Sequence, residues 1–255
     1  QGVVVDVTID FTMSPDPSCE NYVVTFNGIG DASFTDWLWD FGDGNMAMGK
    51  NVTHTYTIPN TYTVTLDVCS ESVSYPLIVN PQAVADAGTD ESVCEGYSFD
   101  FSTSGTLPSA SDYSSLLWYG GTGTFSDPTA LHPVYTPGPG ELGYITLTLV
   151  AYGIAPCYND TSQMTLLIID SPEGDFTYTP ADSICVNEPI LFSGTSSTNI
   201  VSWDWDFDDG NSGNGQTVIH AFNAAGLYDV MLIVTNDSSC VDTVIRQVQV
   251  HELPQ

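Results

Sequence analysis

The sequence predicts an all-β protein built from three similar β-sandwiches in tandem. A tryptophan-centred segment occurs three times at intervals of roughly 80 residues, which is the signature of an internal repeat. Within each repeat, apolar and polar residues alternate with the period of a strand that has one buried face, and no segment has a convincing helical period. Short strands separated by Gly, Pro, Asn, Asp and Ser are typical of a two-sheet sandwich.

The repeated segment is predicted to be a strand that ends in a tight turn. In the first copy, Trp37, Trp39 and Phe41 alternate with polar or smaller residues. The Asp-Gly pair that follows tolerates the positive φ angles of a hairpin turn. We expect the central tryptophan of each copy to fill a core. The three copies read Trp37-Leu-Trp-Asp-Phe-Gly-Asp-Gly44, Leu117-Trp-Tyr-Gly-Gly121 and Trp203-Asp-Trp-Asp-Phe-Asp-Asp-Gly210, with Trp39, Trp118 and Trp205 as the core residues.

Two further elements follow each turn in the same order. The first is a short segment that ends in an aromatic residue, and the second is a long alternating strand. Tyr62 and Tyr228 open that strand in the first and third copies, and we expect both to be core residues. The short segments are His54-Thr-Tyr56, Pro133-Val-Tyr135 and His220-Ala-Phe222.

These elements together resemble the polycystic-kidney-disease-type (PKD) domain. The resemblance is specific in the first and third copies, where Trp-Asp-Phe, Asp-Gly, His-x-aromatic and the long strand occur in order. In the middle copy Gly120-Gly-Thr-Gly-Thr-Phe125 replaces the Asp-Gly turn, as in a divergent PKD-like branch of bacterial surface proteins. The resemblance implies three immunoglobulin-like β-sandwiches, and it implies that His54 and His220 make structural hydrogen bonds.

We expect the units to span residues 1–80, 81–170 and 171–255. The joints between them are short and contain proline, so they are too stiff to be flexible tethers. A head-to-tail, semi-rigid rod on the order of 110 Å long is therefore predicted. Residue 1 is not Met and the C-terminal residues resemble a joint, so we expect a longer parent chain. In the first unit, strands are expected at 3–12, 22–27, 36–41, 53–57, 62–69 and 73–79.

The charge balance excludes several partners. Thirty-two acidic residues face only Lys50 and Arg246, which gives a formal net charge of −30. Such a surface repels nucleic acid and anionic membranes. No apolar stretch approaches the ~20 residues of a membrane span, so direct membrane insertion is not expected. Composition and cysteine usage favour a secreted, extracellular protein.

Each predicted unit contains two cysteines, an even count that favours disulfides over metal ligands. In an immunoglobulin-like sandwich, the two cysteines of one unit would lie at opposite ends, about 20 Å apart. A disulfide requires Cα atoms within about 7 Å. In a head-to-tail rod we expect staggered bonds, with pairing inside each unit as the alternative. The staggered pairs are Cys19 with Cys157 and Cys94 with Cys240, while Cys69 and Cys185 would bond to neighbours outside this segment.

Candidate ligand and modification sites are few. Closely spaced aspartates make a structural calcium site conceivable at Asp206, Asp208 and Asp209, although turn aspartates also cap their own backbone. No other cofactor is expected. Trp37 and Trp203 are candidates for a carbohydrate-stacking face. Asn-x-Ser/Thr sequons begin at Asn51, Asn159 and Asn236. Asp182-Ser-Ile184 and Asp242-Thr-Val244 resemble the Asp-Ser/Thr-aliphatic tripeptide that is O-glycosylated in secreted proteins of gliding bacteria, and the resemblance implies modification of Ser183 and Thr243.

No catalytic residues are predicted, because the sequence contains none of the common nucleophile, zinc or phosphate-binding motifs. Acidic, lysine-poor PKD arrays resemble large surface adhesins of gliding bacteria. The resemblance implies a non-catalytic stalk or filament that serves attachment or gliding motility. Its partners would be adjacent repeats of the same polypeptide, a surface polysaccharide or other cells. Two alternatives are an accessory region of a secreted protease or polysaccharide-degrading enzyme, and a self-assembling extracellular fibre subunit.

Overall fold

The computed structural model describes residues 8–181, 184–197 and 199–253. The predicted fold class is confirmed, because the described chain forms three immunoglobulin-like β-sandwiches with three separate hydrophobic cores. Each core is centred on the tryptophan of the repeated segment. Trp39, Trp118 and Trp205 are all at most 2% exposed.

The first sandwich packs a three-stranded sheet, in the order β1-β3-β6, against a five-stranded sheet, in the order β2-β8-β7-β4-β5. The first expected strand extends to Ser14, and its expected N-terminal part lies largely outside the described residues. Two strands, β2 and β5, were not predicted, because segments this short have too few residues to show a period. The strands are β1 Asp10–Ser14, β2 Ser18–Cys19, β3 Val23–Ile29, β4 Trp37–Asp40, β5 Met46–Met48, β6 Asn51–Thr55, β7 Asn60–Val68 and β8 Glu71–Asn80.

The middle sandwich has one large sheet like those of the outer sandwiches, but its second layer consists of two smaller sheets. A four-stranded sheet, in the order β10-β17-β16-β13, faces a three-stranded sheet, β11-β15-β14, and a two-stranded sheet, β12-β9. A short 3₁₀ turn over Phe101–Thr103 buries Phe101 in the core. The strands are β9 Val84–Asp86, β10 Glu91–Cys94, β11 Phe99–Asp100, β12 Ser109–Ser111, β13 Tyr113–Gly120, β14 Thr124–Phe125, β15 Val134–Thr136, β16 Gly143–Gly153 and β17 Asp160–Ile169.

The third sandwich repeats the first, with a three-stranded sheet, β18-β19-β22, against a four-stranded sheet, β21-β20-β23-β24. The equivalence extends to a contact between the sheets. A β-carbon at Gly28 or Gly194 would lie 2.5 Å from the ring of Trp37 or Trp203, so only glycine lets each tryptophan lie across the opposite sheet. The strands are β18 Gly174–Thr179, β19 Ile190–Ser196, β20 Ile200–Asp206, β21 Ser212–Asn214, β22 Thr217–His220, β23 Gly226–Asn236 and β24 Val241–Val250.

Candidate functional site

The joint between the first two sandwiches is closed by a disulfide. Strand β2 runs parallel to the end of β8, which places Cys19 beside Asn80, where the chain leaves the first unit. Cys157 lies in the loop between β16 and β17 of the second unit. The two sulfurs are bonded at 1.93 Å, with the Cα atoms 5.3 Å apart. The first unit is therefore linked to the second both by the peptide chain and by this bond.

The joint between the second and third sandwiches has the same construction. Cys94 ends β10, which runs parallel to β17, and it lies beside Ile169. Cys240 lies in the loop between β23 and β24. Their sulfurs are bonded at 2.00 Å, with the Cα atoms 5.7 Å apart. Both disulfides join the pairs that the staggered arrangement predicts, and neither is formed within one unit.

Polar contacts fix the first linker to the unit that precedes it. The backbone amide of Gln82 donates to Oε1 of Glu20 at 2.9 Å, and its side-chain amide donates to the Glu20 carbonyl at 3.3 Å. The Glu20 amide in turn donates to the Asn80 carbonyl at 2.9 Å. Across the joint, the rings of Tyr22 and Tyr158 lie 5.2 Å apart. These contacts oppose rotation of the linker about its own bonds.

A buried asparagine fixes the second joint. Asn236 is 5% exposed, and its Oδ1 accepts hydrogen bonds from the amides of Ser238 and Cys240. Its Nδ2 donates to the carbonyl of Asp170 in the linker at 3.1 Å. The side chain therefore shapes the loop that presents Cys240 and ties it to the preceding unit. A glycan on Asn236 would have to replace these contacts, so the sequon there does not mark an accessible site.

The two remaining cysteines occupy repeat-equivalent positions. Cys185 forms a parallel bridge with His251, as Cys19 does with Asn80 and Cys94 with Ile169. Cys69 is exposed and follows β7, in the loop that corresponds to those of Cys157 and Cys240. The bonding of Cys69 and Cys185 to neighbours outside this segment stays a prediction.

The Asp-Gly turns of the outer sandwiches are closed by a histidine. Nε2 of His54 lies 2.7 Å from Oδ2 of Asp43, and its ring stacks on Phe41 at 4.2 Å. In the third sandwich His220 lies 2.9 Å from Asp209 and stacks on Phe207 at 4.0 Å. Each histidine is thus held between an aromatic ring and a carboxylate, and no nucleophile is hydrogen-bonded to either one in the described structure. The arrangement closes a hairpin.

The calcium prediction at Asp206, Asp208 and Asp209 is not supported by the geometry. Asp206 accepts from the amide of Asp208, and Asp208 accepts from the amide of Asp229. Asp209 accepts from the amide of Asn211 and faces His220. The carboxylates are directed to backbone amides, as turn aspartates often are. Within the described ranges, no group of three or more His, Cys, Asp or Glu side chains could hold a metal ion.

The pKa of Asp209 reflects these contacts. Burial alone would raise the pKa of the carboxyl, but the hydrogen bonds from Asn211 and His220 outweigh burial and lower the pKa below its usual value. The same balance lowers the pKa of Asp43, where His54 and Asn45 are the donors. Both carboxylates are therefore charged at neutral pH.

The remaining residues singled out from the sequence differ in their exposure to solvent. Tyr62 is buried and Tyr228 is half-buried against the third core. The expectation of a stacking face at Trp37 is wrong, because its ring is 4% exposed under the opposite sheet, and Trp203 also packs on a core. Thr243 is exposed on β24, so its glycosylation stays a prediction, while Ser183 lies outside the described residues.

The fold and its joints define a tandem array of immunoglobulin-like modules stapled end to end. The PKD domain family model matches residues 8–73 and 171–250, which is more than half of the chain. The chain therefore belongs to the PKD domain family. Disulfides and PKD domains are features of extracellular proteins, and both indicate an extracellular protein here. The part of the chain that the structure describes has no helix suited to crossing a membrane.

Several known proteins are similar to parts of the chain. Collagenase ColA of Clostridium perfringens is 35% identical over 74 residues, which are 28% of this chain and 7% of the collagenase. The PKD1 domain of Vibrio anguillarum Epp is 28% identical and covers 33% of this chain and 96% of its own, with a TM-score of 0.29. The PKD1 domain of the Vibrio cholerae metalloprotease PrtV is 29% identical and covers 31% and 96%, with a TM-score of 0.28. The titin I-band fragment I67–I69 is 13% identical and covers 96% and 99%, with a TM-score of 0.44.

Proposed function

We propose that this segment is a non-catalytic, semi-rigid stalk of a secreted cell-surface adhesin or filament that serves attachment or gliding motility. The observation that carries the proposal is the pair of disulfides, each of which joins one sandwich to the next. A catalytic module has no need for such bonds between units, whereas a stalk must hold the orientation of each unit against its neighbour.

The two covalent connections at each joint restrict bending. A peptide linker alone allows rotation about several axes, whereas a linker plus a disulfide leaves only rotation about the line that joins the two connections. The contacts of Gln82 with Glu20 and of Asn236 with Asp170 oppose that remaining motion. A force applied along the chain would therefore pass between units through covalent bonds at two points.

The charge of the segment favours separation of neighbouring stalks. Of the two basic residues, Arg246 is paired with Asp175 at 2.6 Å and Lys50 lies over the ring of Trp37. Little positive charge is left to offset the acidic side chains, so copies of the segment repel one another at moderate ionic strength. Such repulsion suits a projecting filament that must not collapse onto its neighbours.

A second candidate is an accessory region of a secreted protease or polysaccharide-degrading enzyme. The similarity to Collagenase ColA favours it, because that protein is named as a collagenase and the match covers only a small part of its length. In this case the parent polypeptide would contain a catalytic domain outside this segment.

The two candidates differ in the parent polypeptide. An antibody raised against this segment, used on cell-surface and culture-medium fractions with and without reductant, measures its size and location. A surface-bound polypeptide many times longer than this segment, without hydrolase activity, is the expected result. A released polypeptide with protease or polysaccharide-hydrolase activity would contradict the stalk proposal and favour the accessory role. A ladder that collapses to this segment's mass on reduction would instead reveal a fibre of small subunits.

Stiffness is tested on the segment itself. We expect Cys19→Ser combined with Cys157→Ser to broaden the distribution of interatomic distances in small-angle X-ray scattering, because one of the two connections at that joint is lost. Cys69→Ser is the matched control, since Cys69 lies outside both disulfides. An unchanged distribution in the double variant would mean that the disulfide does not stiffen the joint.

A further inference from the structure

The middle sandwich has a sheet face without charge on its solvent side. Strands β13, β16 and β17 alternate between core residues and residues on the opposite, outer face. None of the outer residues is acidic or basic, although the protein carries a net charge of −30. This uncharged face consists of Leu117, Tyr119, Tyr144, Thr146, Tyr152, Thr161, Gln163, Thr165 and Leu167, with the buried Thr148 and Val150 at its centre.

The corresponding faces of the other two sandwiches are charged. The residue that follows the buried tryptophan is Asp40 in the first unit and Asp206 in the third, but Tyr119 in the middle one. Thr146 stands three residues into its strand, where the third unit has Asp229. Relative to the third unit, the middle unit thus lacks two acidic side chains on this face, and relative to both outer units it has an aromatic ring in place of one.

A cleft at the second joint continues the uncharged face. Ser92 pairs with Leu167, and Leu167 pairs with Tyr144, so the face extends across β10 to the edge of the sheet. Ser92 also lines a cleft of about 540 Å³ beside the Cys94–Cys240 bond. The other lining residues are likewise uncharged, and they include Tyr97, Ser98, Ser238, Ser239 and Val241.

The side chains on this surface suit one class of ligand. Tyr144 is 79% exposed, Tyr97 55% and Tyr119 51%, so three aromatic rings are available for stacking. Thr146, Thr165 and Gln163 supply hydroxyl and amide groups in the same plane, and Gln163 is oriented by a hydrogen bond of 3.3 Å to Thr148. Rings that stack on C–H faces and neutral groups that bond hydroxyls together match a sugar polymer.

Charge excludes the competing partners. An anionic polymer or a second copy of this protein would be repelled by the surrounding acidic surface. A cationic partner would be drawn to the acidic residues around the face, such as Asp90, whose carboxylate accepts from the Thr165 amide, and not to the face itself. A neutral chain loses no ion hydration when it binds there. We propose that the uncharged face and the adjoining cleft bind a neutral polysaccharide, a role that goes beyond the proposed stalk and can fail independently of it.

The test is affinity electrophoresis of the whole segment in gels that contain hydroxyethylcellulose, xyloglucan or galactomannan, with alginate as the anionic probe. We expect retardation in at least one neutral gel and none in alginate. Tyr144→Ala removes an exposed ring, and Tyr119→Asp installs the charge that the outer units carry. Each is expected to weaken retention by about three- to tenfold, the value of one aromatic contact.

Tyr158→Ala is the matched control, because Tyr158 is 74% exposed but lies at the first joint, in the loop at the opposite end of β16 from Tyr144. We expect its retention to equal that of the unmodified segment. The proposal is overturned if no neutral polysaccharide retards the segment, if alginate retards it equally, or if Tyr158→Ala alone loses binding. Sedimentation that shows a dimer abolished by Tyr119→Asp would assign the face to a second copy and would also overturn it. The scattering test of stiffness is unaffected by any of these results.

Discussion

The outer sandwiches and the middle sandwich each have a core centred on a tryptophan, but different side chains stabilise the turn that follows the tryptophan strand. In the first and third units a histidine stacks on a phenylalanine and bonds a turn aspartate. In the middle unit Tyr135 fills this place, and its hydroxyl donates to Glu141 at 2.8 Å. In every unit an aromatic side chain therefore fills the space beside the tryptophan strand and forms a hydrogen bond with a carboxylate, although the residues that do so differ.

The middle unit organises its loop around that hydroxyl. The amide of Gly123 donates to Oη of Tyr135, while Glu141 also accepts from the amides of Thr122 and Gly138. A β-carbon at Gly123 would lie 2.8 Å from Cζ of Tyr135, so the glycine-rich sequence leaves room for the ring. Burial, and then the bond to Glu141, raises the pKa of Tyr135 to about 12, which keeps its proton available.

The largest effects should come from the shared core. We expect Trp118→Ala and Trp205→Ala each to destabilise their own unit by about 3–5 kcal/mol, because each removes a fully buried indole. Hydrogen-exchange mass spectrometry of the whole segment measures this separately in each unit. If only Trp205→Ala reduced the stability of its unit, the middle core would not depend on its tryptophan, and the two cores would not be equivalent.

The hairpin closures should differ by an intermediate amount. We expect Tyr135→Phe to cost about 2 kcal/mol, because it leaves the Gly123 amide without an acceptor and removes one of the hydrogen bonds to Glu141. Tyr56→Phe is the matched control, since its hydroxyl donates only to the carbonyl of Phe41 and the third unit has Phe222 there. We expect a cost of about 1 kcal/mol or less. Equal costs for the two variants in hydrogen exchange would mean that the Tyr135 network adds no stability.

The smallest effect should be a shared dependence on acid. Burial would raise the pKa of Glu141, but the amides of Thr122 and Gly138 outweigh it and lower the pKa, as the hydrogen bonds to Asp209 do in the third unit. A pKa lowered by folding gives stability that is present above the unfolded value of about 4 and is lost as pH falls through the folded value.

Acid unfolding followed by hydrogen exchange tests this dependence. We expect Glu141→Gln to reduce the loss of stability below about pH 4 in the middle unit, and Asp209→Asn to do so in the third. Each variant serves as the control for the other, because the two carboxylates lie in different units. A variant whose own unit keeps its full acid sensitivity would contradict the assignment of that carboxylate.

Much of the fold could be predicted, because alternation and turn residues act locally. The tryptophan strands, the Asp-Gly turns and the long strands after them follow from residues close in sequence. The short strands β2 and β5 could not be predicted, since they exist only through pairing with β8 and β4. The calcium interpretation lacks support for a related reason. Spacing placed three aspartates together, but it did not show which amides each carboxylate would face.

The repeat, the class of fold and the three core tryptophans Trp39, Trp118 and Trp205 follow from local sequence, because a period of two and a turn signal are properties of neighbouring residues. Tertiary structure decided the geometry of both joints, the burial of Trp37 and Asn236, and the extent of the uncharged face. These depend on strands that are adjacent in space and distant in sequence. Tyr144, Leu167 and Ser92 lie side by side only because β16, β17 and β10 pair in one register.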